Sequence, residues 1–474
     1  MQTYGDVQGI FALYADSRVS HATESVLGSR GASAGLLHAP ATGLPPGPRS
    51  PGVVQTLRWM YRPTSFIESC WRRYGGIFTL RLGPGRNTVV IAEPTAAREV
   101  IRGDPSVFRA GDANGILKPV VGPGSLLLLD GEEHLQHRRI VMPAFGAEHG
   151  RAMTEAVQEI TRDRVGRWQA GETLQLQAEM EAISLDVILE LALGAGSEAR
   201  NQQFRVLIPE MMKRCSSPFT LLPYFRHELG GITPYAHLQQ LLAELDVLFL
   251  DAIVERQTSA SNRDSDCLSL LCAATDEDGT PLSNRQIRDE LLTMIMAGYE
   301  TTTSALAWAF ERLLRSPDVL DRLREDLASG REEYLDAVVK EVLRLRPVVP
   351  VVARKVTQDV ELSGHLIPGG SVLMVSIYLL HRDPSLHEDP DEFRPERFLD
   401  GRGGEPWLPF GGGVRRCLGA SFAQLEMKVV IREVLAMASL GASDPADEPV
   451  ARKRFTFAPG SGARATVEEV SRPR

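Results

Sequence analysis

The sequence lacks the features that would assign it to several special classes of protein. Its 474 residues carry 52 Lys and Arg against 61 Asp and Glu, so the basic excess expected of a nucleic-acid-binding protein is missing. Five scattered cysteines are too few, and odd in number, for a disulfide scaffold. No apolar run approaches the ~20 residues that span a bilayer, and the N-terminus lacks the regions of a signal peptide. We therefore expect a globular, cytoplasmic protein without a membrane span.

The order of apolar residues predicts a mainly α protein with a minor β portion. Residues 1–40 are rich in small residues and weakly periodic, which predicts a flexible lead before a single domain over 41–474. Apolar residues recur with the helical period of 3.6 in the segments 63–74, 151–169, 178–194, 234–258, 283–315, 333–346 and 420–438. Strand-like runs occur at 77–82, 88–92, 348–352, 360–362, 372–376 and 454–467.

A glycine-dense loop over 410–419 is the most informative segment. Glycines let the backbone approach a bulky ligand closely, while adjacent arginines and a following helix N-terminus favour the thiolate of Cys417. Cys417 is therefore a candidate for a soft metal ligand or a nucleophile. The remaining cysteines are expected to be small buried hydrophobic residues: Cys70, Cys215, Cys267 and Cys272.

Two pairs of charged residues at helical spacing have an ordinary interpretation as well as a functional one. Glu341 and Arg344 lie at i and i+3, and His134 and Arg138 lie at i and i+4, so each pair shares one helix face. On its own, the first pair is worth only about 0.2–0.5 kcal/mol as a surface ion pair. The second pair taken alone favours a solvated basic face.

The segment 283–315 holds the candidate acid and alcohol. Ser283 and Gln286 form a predicted capping box, and Gly298 in mid-helix indicates that something requires a gap there. Ala297, Glu300 and Thr301 are expected to share one face, where an acid and a hydroxyl could pass protons inward. The alternative is that Thr301 only bonds back to the preceding turn of the helix.

The pattern Phe410-x-x-Gly413-x-Arg415-x-Cys417-x-Gly419 resembles the heme-binding signature of the cytochrome P-450 family. The resemblance runs from about residue 45 to residue 467 and implies that family's fold, a triangular helical prism with small β-sheets. It implies that Cys417 is the proximal iron ligand of heme b, iron protoporphyrin IX, and that Arg415 pairs with a propionate. The other signature residues would form the loop that carries the cofactor.

The same resemblance gives roles to the other motifs. Glu341, Arg344 and Arg397 would form a structural network beneath the heme. Further propionate partners would be His134, Arg138 and Arg354. Glu300 and Thr301 would deliver protons to bound dioxygen.

The resemblance also indicates a pocket and partners. The distal pocket would draw on the regions 108–126 and 204–225 and, more specifically, on Ala297, Val351, Val352, Phe455 and Thr456. These mostly apolar positions favour a fatty acid, terpenoid or steroid. Electrons would come from a separate ferredoxin and its reductase, with ferredoxin docking on a positive patch formed by Arg415, Arg416, Lys428 and Arg432.

The resulting hypothesis is a heme-thiolate monooxygenase that uses O2 to insert one oxygen atom into a C–H bond, by hydroxylation or epoxidation of its substrate. One alternative is a peroxygenase or rearrangement enzyme on the same scaffold, which would not need the pair Glu300 and Thr301. The other is a heme-binding sensor or carrier without catalysis, for which the Cys417 loop would suffice.

Overall fold

The computed structural model describes residues 43–83, 87–145, 147–194, 196–215, 233–258, 266–276, 278–399, 406–444 and 446–471. Two predicted features fall outside these ranges: the lead at 1–40 and the part of the pocket region at 216–225. No helix in the described ranges is long and apolar enough to cross a bilayer.

Helices make up most of the described chain. In chain order they are α1 (Gly52–Tyr61), α2 (Pro63–Tyr74), α3 (Pro94–Arg102), α4 (Ala110–Ala113), α5 (Lys118–Val121), α6 (Gly131–Val141), α7 (Ala147–Val165), α8 (Leu176–Leu193), α9 (Glu198–Cys215), α10 (Pro234–Thr258), α11 (Cys267–Ala273), α12 (Asn284–Leu314), α13 (Pro317–Ala328), α14 (Glu333–Leu345), α15 (Ile377–Leu380) and α16 (Ala420–Met437).

The strands are short and form small sheets. They are β1 (Ile77–Arg81), β2 (Asn87–Ile91), β3 (Phe108–Arg109), β4 (Thr173–Gln175), β5 (Val351–Val356), β6 (Val360–Leu362), β7 (His365–Ile367), β8 (Val372–Ser376), β9 (Ala438–Ala442), β10 (Val450–Lys453), β11 (Thr456–Pro459) and β12 (Arg464–Val470). The largest sheet has the order β1-β2-β8-β5-β3, and β2 and β8 run parallel within it. The other sheets are β4-β12-β9, β10-β11 and β6-β7. The prediction of a mainly α protein with a minor β portion is confirmed.

Helix α12 crosses the core and positions one side of the site. The predicted capping box is present, since the Ser283 hydroxyl accepts from the backbone of Gln286 and the Gln286 side chain accepts from the backbone of Ser283. Most α12 side chains are buried, as a helix needs when it packs on several sides. At Gly298 a Cβ atom would lie 2.6 Å from Cδ1 of Ile188 on α8, so the glycine allows these two helices to pack closely.

Two strand-like runs differ from their predictions. The run 454–467 contains two strands, β11 and β12, which are separated by residues 460–463. The run 348–352 was expected to be a strand, but β5 begins only at Val351 and continues to Val356. Pro347 and Pro350 have no backbone N–H to contribute to a ladder, which explains why pairing begins after them. Helix α9 was missed because it contains Pro209 and has weak amphipathic character.

Candidate functional site

The loop that carries Cys417 is held against α3 and closed by a backbone hydrogen bond. Gly413 has φ 62°, and a Cβ atom there would lie 2.4 Å from the carbonyl oxygen of Ile101. Any other residue at 413 would therefore clash and be strained. The Cys417 N–H donates to the carbonyl oxygen of Phe410 at 3.0 Å. Gly413 thus allows the loop to pack on α3, a role that the sequence analysis did not predict.

Cys417 is the most accessible cysteine of the described chain. Its side chain is exposed, whereas Cys272 is half-buried and the others are buried as expected. Desolvation by surrounding protein nevertheless raises the pKa of the Cys417 thiol, and it outweighs the lowering by the Gly419 N–H and by Arg138. The neighbouring N–H and arginines therefore act on the thiol in the expected direction, and burial opposes them. A bound metal ion would add positive charge at the sulfur and favour the thiolate further.

The network of Glu341, Arg344 and Arg397 forms as predicted. Glu341 and Arg344 are fully buried, and two hydrogen bonds of 2.7 and 2.9 Å join Arg344 to the Glu341 carboxylate. Arg397, in a short 3-10 helix (Pro395–Phe398), donates from Nε to Glu341 Oε1 at 3.0 Å. Both guanidinium groups also donate to backbone carbonyls of the segment 381–392. One carboxylate thus aligns two arginines that fasten this segment to α14.

His381 belongs to this assembly, although the sequence reasoning assigned it no role. Its ring is fully buried, with Nδ1 3.1 Å from the Arg344 carbonyl oxygen. Its Nε2 accepts the N–H of Leu408 at 2.9 Å, just before the Cys417 loop. A histidine that bridges two backbone groups leaves no periodic signal in the sequence, which is why its role was missed.

The guanidiniums of Arg138, Arg354 and Arg415 lie near the ring of His134, beside the Cys417 loop. His134 and Arg138 lie one turn apart on α6, and Arg354 lies on β5. Burial, together with the nearby guanidiniums of Arg415 and Arg138, lowers the pKa of His134 to about 4, so its ring is neutral at pH 7. Arg138 and Arg354 form no ion pair with any described residue. This cluster is short of negative charge.

Arg415 is the exception, because its guanidinium already has partners. It is 2.6 Å from Asp130 Oδ1 and also donates to the carbonyl oxygens of Leu126 and Leu129. This ion pair ties the Cys417 loop to the start of α6. The Asp130 carboxylate can neutralise the charge of one of the three guanidiniums. The guanidiniums of Arg138 and Arg354 remain available to bind an anion.

The α12 face differs from its prediction. Ala297 is exposed and Thr301 half-exposed, with the Thr301 hydroxyl donating to the Ala297 carbonyl oxygen at 2.6 Å. Glu300, by contrast, is only 4% exposed, and its carboxylate contacts Arg454 and Thr456. The three predicted residues therefore differ in accessibility, with Glu300 buried and the other two open. Burial raises the pKa of its carboxyl group.

Glu300 is held by the turn that joins β10 to β11. Its Oε2 lies 3.3 Å from Arg454 Nη1, and its Oε1 accepts from the Thr456 hydroxyl at 2.8 Å. Thr456 was predicted to line the pocket, but it is only 2% exposed and faces Glu300 instead. Arg454, which has φ 56°, was not predicted at all. Among the other predicted pocket residues, the half-buried ones are Val351, Val352 and Phe455.

The predicted positive patch is largely neutralised. Lys428 lies 3.5 Å from Asp336, and Arg432 lies 2.5 Å from Glu332. With Arg415 turned inward, Arg416 is the one predicted patch residue that is exposed and makes no ion pair with the described chain. Arg102, exposed at the end of α3, flanks the same loop, since its Cα lies 3.6 Å from where a Gly413 Cβ would be.

A family model decides which proteins this site belongs with. The model described as Cytochrome P450 matches residues 45–449. The chain belongs to the cytochrome P450 family. A protein named cytochrome P450 135B1 from Mycobacterium tuberculosis is 36% identical over 433 residues, which cover 90% of this chain and 91% of the relative. Cytochrome P450 138 of Mycobacterium bovis is 34% identical over 438 residues, covering 90% of this chain and 97% of that one.

Solved structures agree with the family model. A cyanobacterial P450, CYP120A1, described as bound to retinoic acid, superposes with a TM-score of 0.81 at 27% identity, covering 90% of this chain and 99% of that one. The protein is thus a cytochrome P450 monooxygenase with heme, iron protoporphyrin IX, as its cofactor.

The residues present suit this cofactor. Heme carries two carboxylates, and two guanidiniums, Arg138 and Arg354, have no ion-pair partner among the described residues. Buried guanidiniums of this kind require an anion. The Cys417 thiol is accessible and is influenced by the Gly419 N–H, Arg138 and Arg416, each of which favours its thiolate. Such a thiolate is a suitable ligand for iron.

Proposed function

We propose that this P450 inserts one oxygen atom of O2 into a C–H bond of an apolar small molecule of fatty acid, terpenoid or steroid type. Cys417 is the proximal iron ligand in this proposal. The observation that carries it is the accessibility of Cys417, in a loop fastened to α3 and closed by its own N–H. When bound, the heme supplies the oxygen-activating chemistry, as thiolate-ligated iron favours O–O cleavage.

His134, Arg138 and Arg354 bind the propionates in this proposal. A neutral His134 can donate one hydrogen bond, and the two guanidiniums can balance the two carboxylates. The pair of Arg415 with Asp130 holds the Cys417 loop at its correct distance from α6. These groups orient the cofactor and do not take part in proton transfer.

Thr301 is the group placed to donate a proton on the open side of α12. In this proposal Glu300 takes up protons on the buried side, where burial raises the pKa of its carboxyl group and Arg454 and the Thr456 hydroxyl partly oppose that rise. In this proposal a proton passes from Glu300 to the neighbouring Thr301 hydroxyl through water.

Thr301→Ala is expected to uncouple the enzyme. Removal of this hydroxyl leaves O2 without its proton donor, so we expect NADH to be consumed at a similar rate while product falls roughly tenfold and hydrogen peroxide rises. The ratio of product to NADH measures this effect. The control is Thr303→Ala, because Thr303 makes the same kind of bond to the Tyr299 carbonyl oxygen but is only 2% exposed. Equal coupling in both variants would contradict the role of Thr301.

The substrate class is supported by the chemistry of the lining. Ala297, Val351, Val352 and Phe455 offer apolar surface that is open or half-open. The neighbour CYP120A1 is described as holding retinoic acid, a largely apolar ligand. An apolar guest would displace water from these side chains and gain roughly 25 cal/mol for each Å² that it buries.

Electrons come from a separate ferredoxin and reductase in this proposal, and the exposed cations Arg102 and Arg416 mark the docking surface. Arg102→Glu together with Arg416→Glu is expected to slow electron transfer about tenfold at low salt, because an acidic ferredoxin loses its attraction. Stopped-flow reduction of the heme measures this rate.

Lys428→Glu serves as the control for docking, since Lys428 is engaged with Asp336. It should change the rate less than twofold. A larger effect at Lys428 than at Arg102 and Arg416 would move the docking surface to α16.

The test of the function is an isotope experiment. The reconstituted protein is supplied with ferredoxin, its reductase and ¹⁸O2, together with a lipid, terpene or steroid that shifts the heme spectrum. Mass spectrometry should find one ¹⁸O atom in the product. Oxygen derived only from added unlabelled peroxide would indicate a peroxygenase, and a spectral shift without product would indicate a carrier.

A further inference from the structure

Two buried histidines lie side by side near the Glu341 network, and they differ in their bonding. The His381 and His387 rings meet edge to face, with centroids 6.1 Å apart. His381 bridges Arg344 and Leu408, whereas both ring nitrogens of His387 are buried without a hydrogen-bond partner. Neither has a role in the function proposed above.

The partners of His381 determine its protonation. The Leu408 N–H can only donate, so Nε2 must carry a lone pair, and the Arg344 carbonyl can only accept, so Nδ1 must carry the hydrogen. His381 is therefore neutral in one tautomer, in which it fulfils both bonds. A protonated ring would lose the bond to Leu408.

The bond to Leu408 lies at the beginning of the cysteine loop. The Leu408 carbonyl accepts from Gly411, and the Phe410 carbonyl accepts from Cys417 at 3.0 Å. A second tether lies one residue earlier, where Trp407 Nε1 donates to the Lys340 carbonyl at 3.1 Å. The backbone that leads into the loop is thus fixed to α14 at adjacent residues.

We propose that His381 is a positioning residue that couples the network of Glu341, Arg344 and Arg397 to the Cys417 loop, through its bonds to the Arg344 carbonyl and the Leu408 N–H. This inference rests on the proposed role of Cys417 as the iron ligand. Its consequence is that the network keeps the sulfur in place for iron through one imidazole and not only by stabilising the fold.

Amide side chains test this coupling, because each imitates one ring nitrogen. In His381→Asn the amide replaces Nδ1 and can reach the Arg344 carbonyl, but nothing accepts from Leu408. In His381→Gln the amide oxygen replaces Nε2 and can accept from Leu408. The readouts are the fraction of ferrous–carbon monoxide complex with the strongly red-shifted thiolate band, and the rate of heme transfer to an excess of an external heme acceptor.

We expect His381→Asn to lose at least half of the thiolate band and to release heme roughly tenfold faster, as the loss of one buried hydrogen bond predicts. His381→Gln should restore most of the band. The control is His387→Asn, which disturbs an equally buried ring without breaking any hydrogen bond, and it should keep the full band.

The result that overturns the inference is a wild-type band in His381→Asn, or equal losses in the Asn and Gln variants. Equal losses in His387→Asn would also overturn it, since they would trace the effect to general destabilisation. A wild-type protein without the red-shifted band would instead refute Cys417 as the ligand and hence the proposed function.

Discussion

Replacement of Cys417 by serine is expected to eliminate the red-shifted carbon monoxide band and to lower product formation at least about 1,000-fold, equivalent to roughly 4 kcal/mol in the activation barrier. A serine hydroxyl does not ionise at neutral pH, so iron would lose the electron donation of a thiolate. The difference spectrum of the reduced protein and the turnover number measure the two effects.

Heme binding itself should largely survive this replacement. Arg138 and Arg354 would still be available to bind the propionates, because neither guanidinium is held in place by the sulfur. The control is Cys272→Ser, at the half-buried cysteine of α11, which should retain both band and turnover. A red-shifted band in the Cys417→Ser protein would refute thiolate ligation at this position.

The second large effect is expected for Glu341→Gln, which should lower the free energy of unfolding. Glu341 and Arg344 are fully buried and Arg397 is 2% exposed, so the amide would leave two guanidiniums in the interior without their counter-charge. Removal of one member of a buried ion pair costs about 3–5 kcal/mol of unfolding free energy. Urea unfolding of the heme-free protein at pH 7 measures this loss.

A second Glu→Gln change separates burial from charge. Glu332 lies 2.5 Å from Arg432, but its side chain is 55% exposed and water screens the pair. Glu332→Gln should therefore cost less than about 1 kcal/mol. If Glu341→Gln cost no more than Glu332→Gln, the network would not be a determinant of the fold.

Local patterns predicted the long helices well. α2 and α10 have the predicted bounds, and α12 begins directly after the predicted cap residue Ser283. Each of these segments contains a strong signal that depends on neighbouring residues only: a proline at the first position in α2 and α10, or a capping box in α12. β5 was misplaced because strand pairing depends on a partner that is distant in sequence.

Motif order predicted members of the site better than their orientation. The Glu341 network and the cation cluster contain the expected residues, but Glu300, Thr456 and Arg415 face partners that no spacing rule revealed. Arg454 and His381 were not recognised because their contacts join segments more than twenty-five residues apart. The only prior signal for His381 was its place in a His-Arg-Asp-Pro motif.

By itself, the order of residues determined the helical character of this chain, its cysteine loop and the composition of its buried ion network, because these depend on local periodicity and on motifs that are contiguous. Only the tertiary structure decided the direction of Glu300, the pairing of Arg415 with Asp130 and the raised pKa of the Cys417 thiol. Hydrogen bonds and desolvation depend on which atoms surround a group, and the folded chain brings those atoms from distant positions.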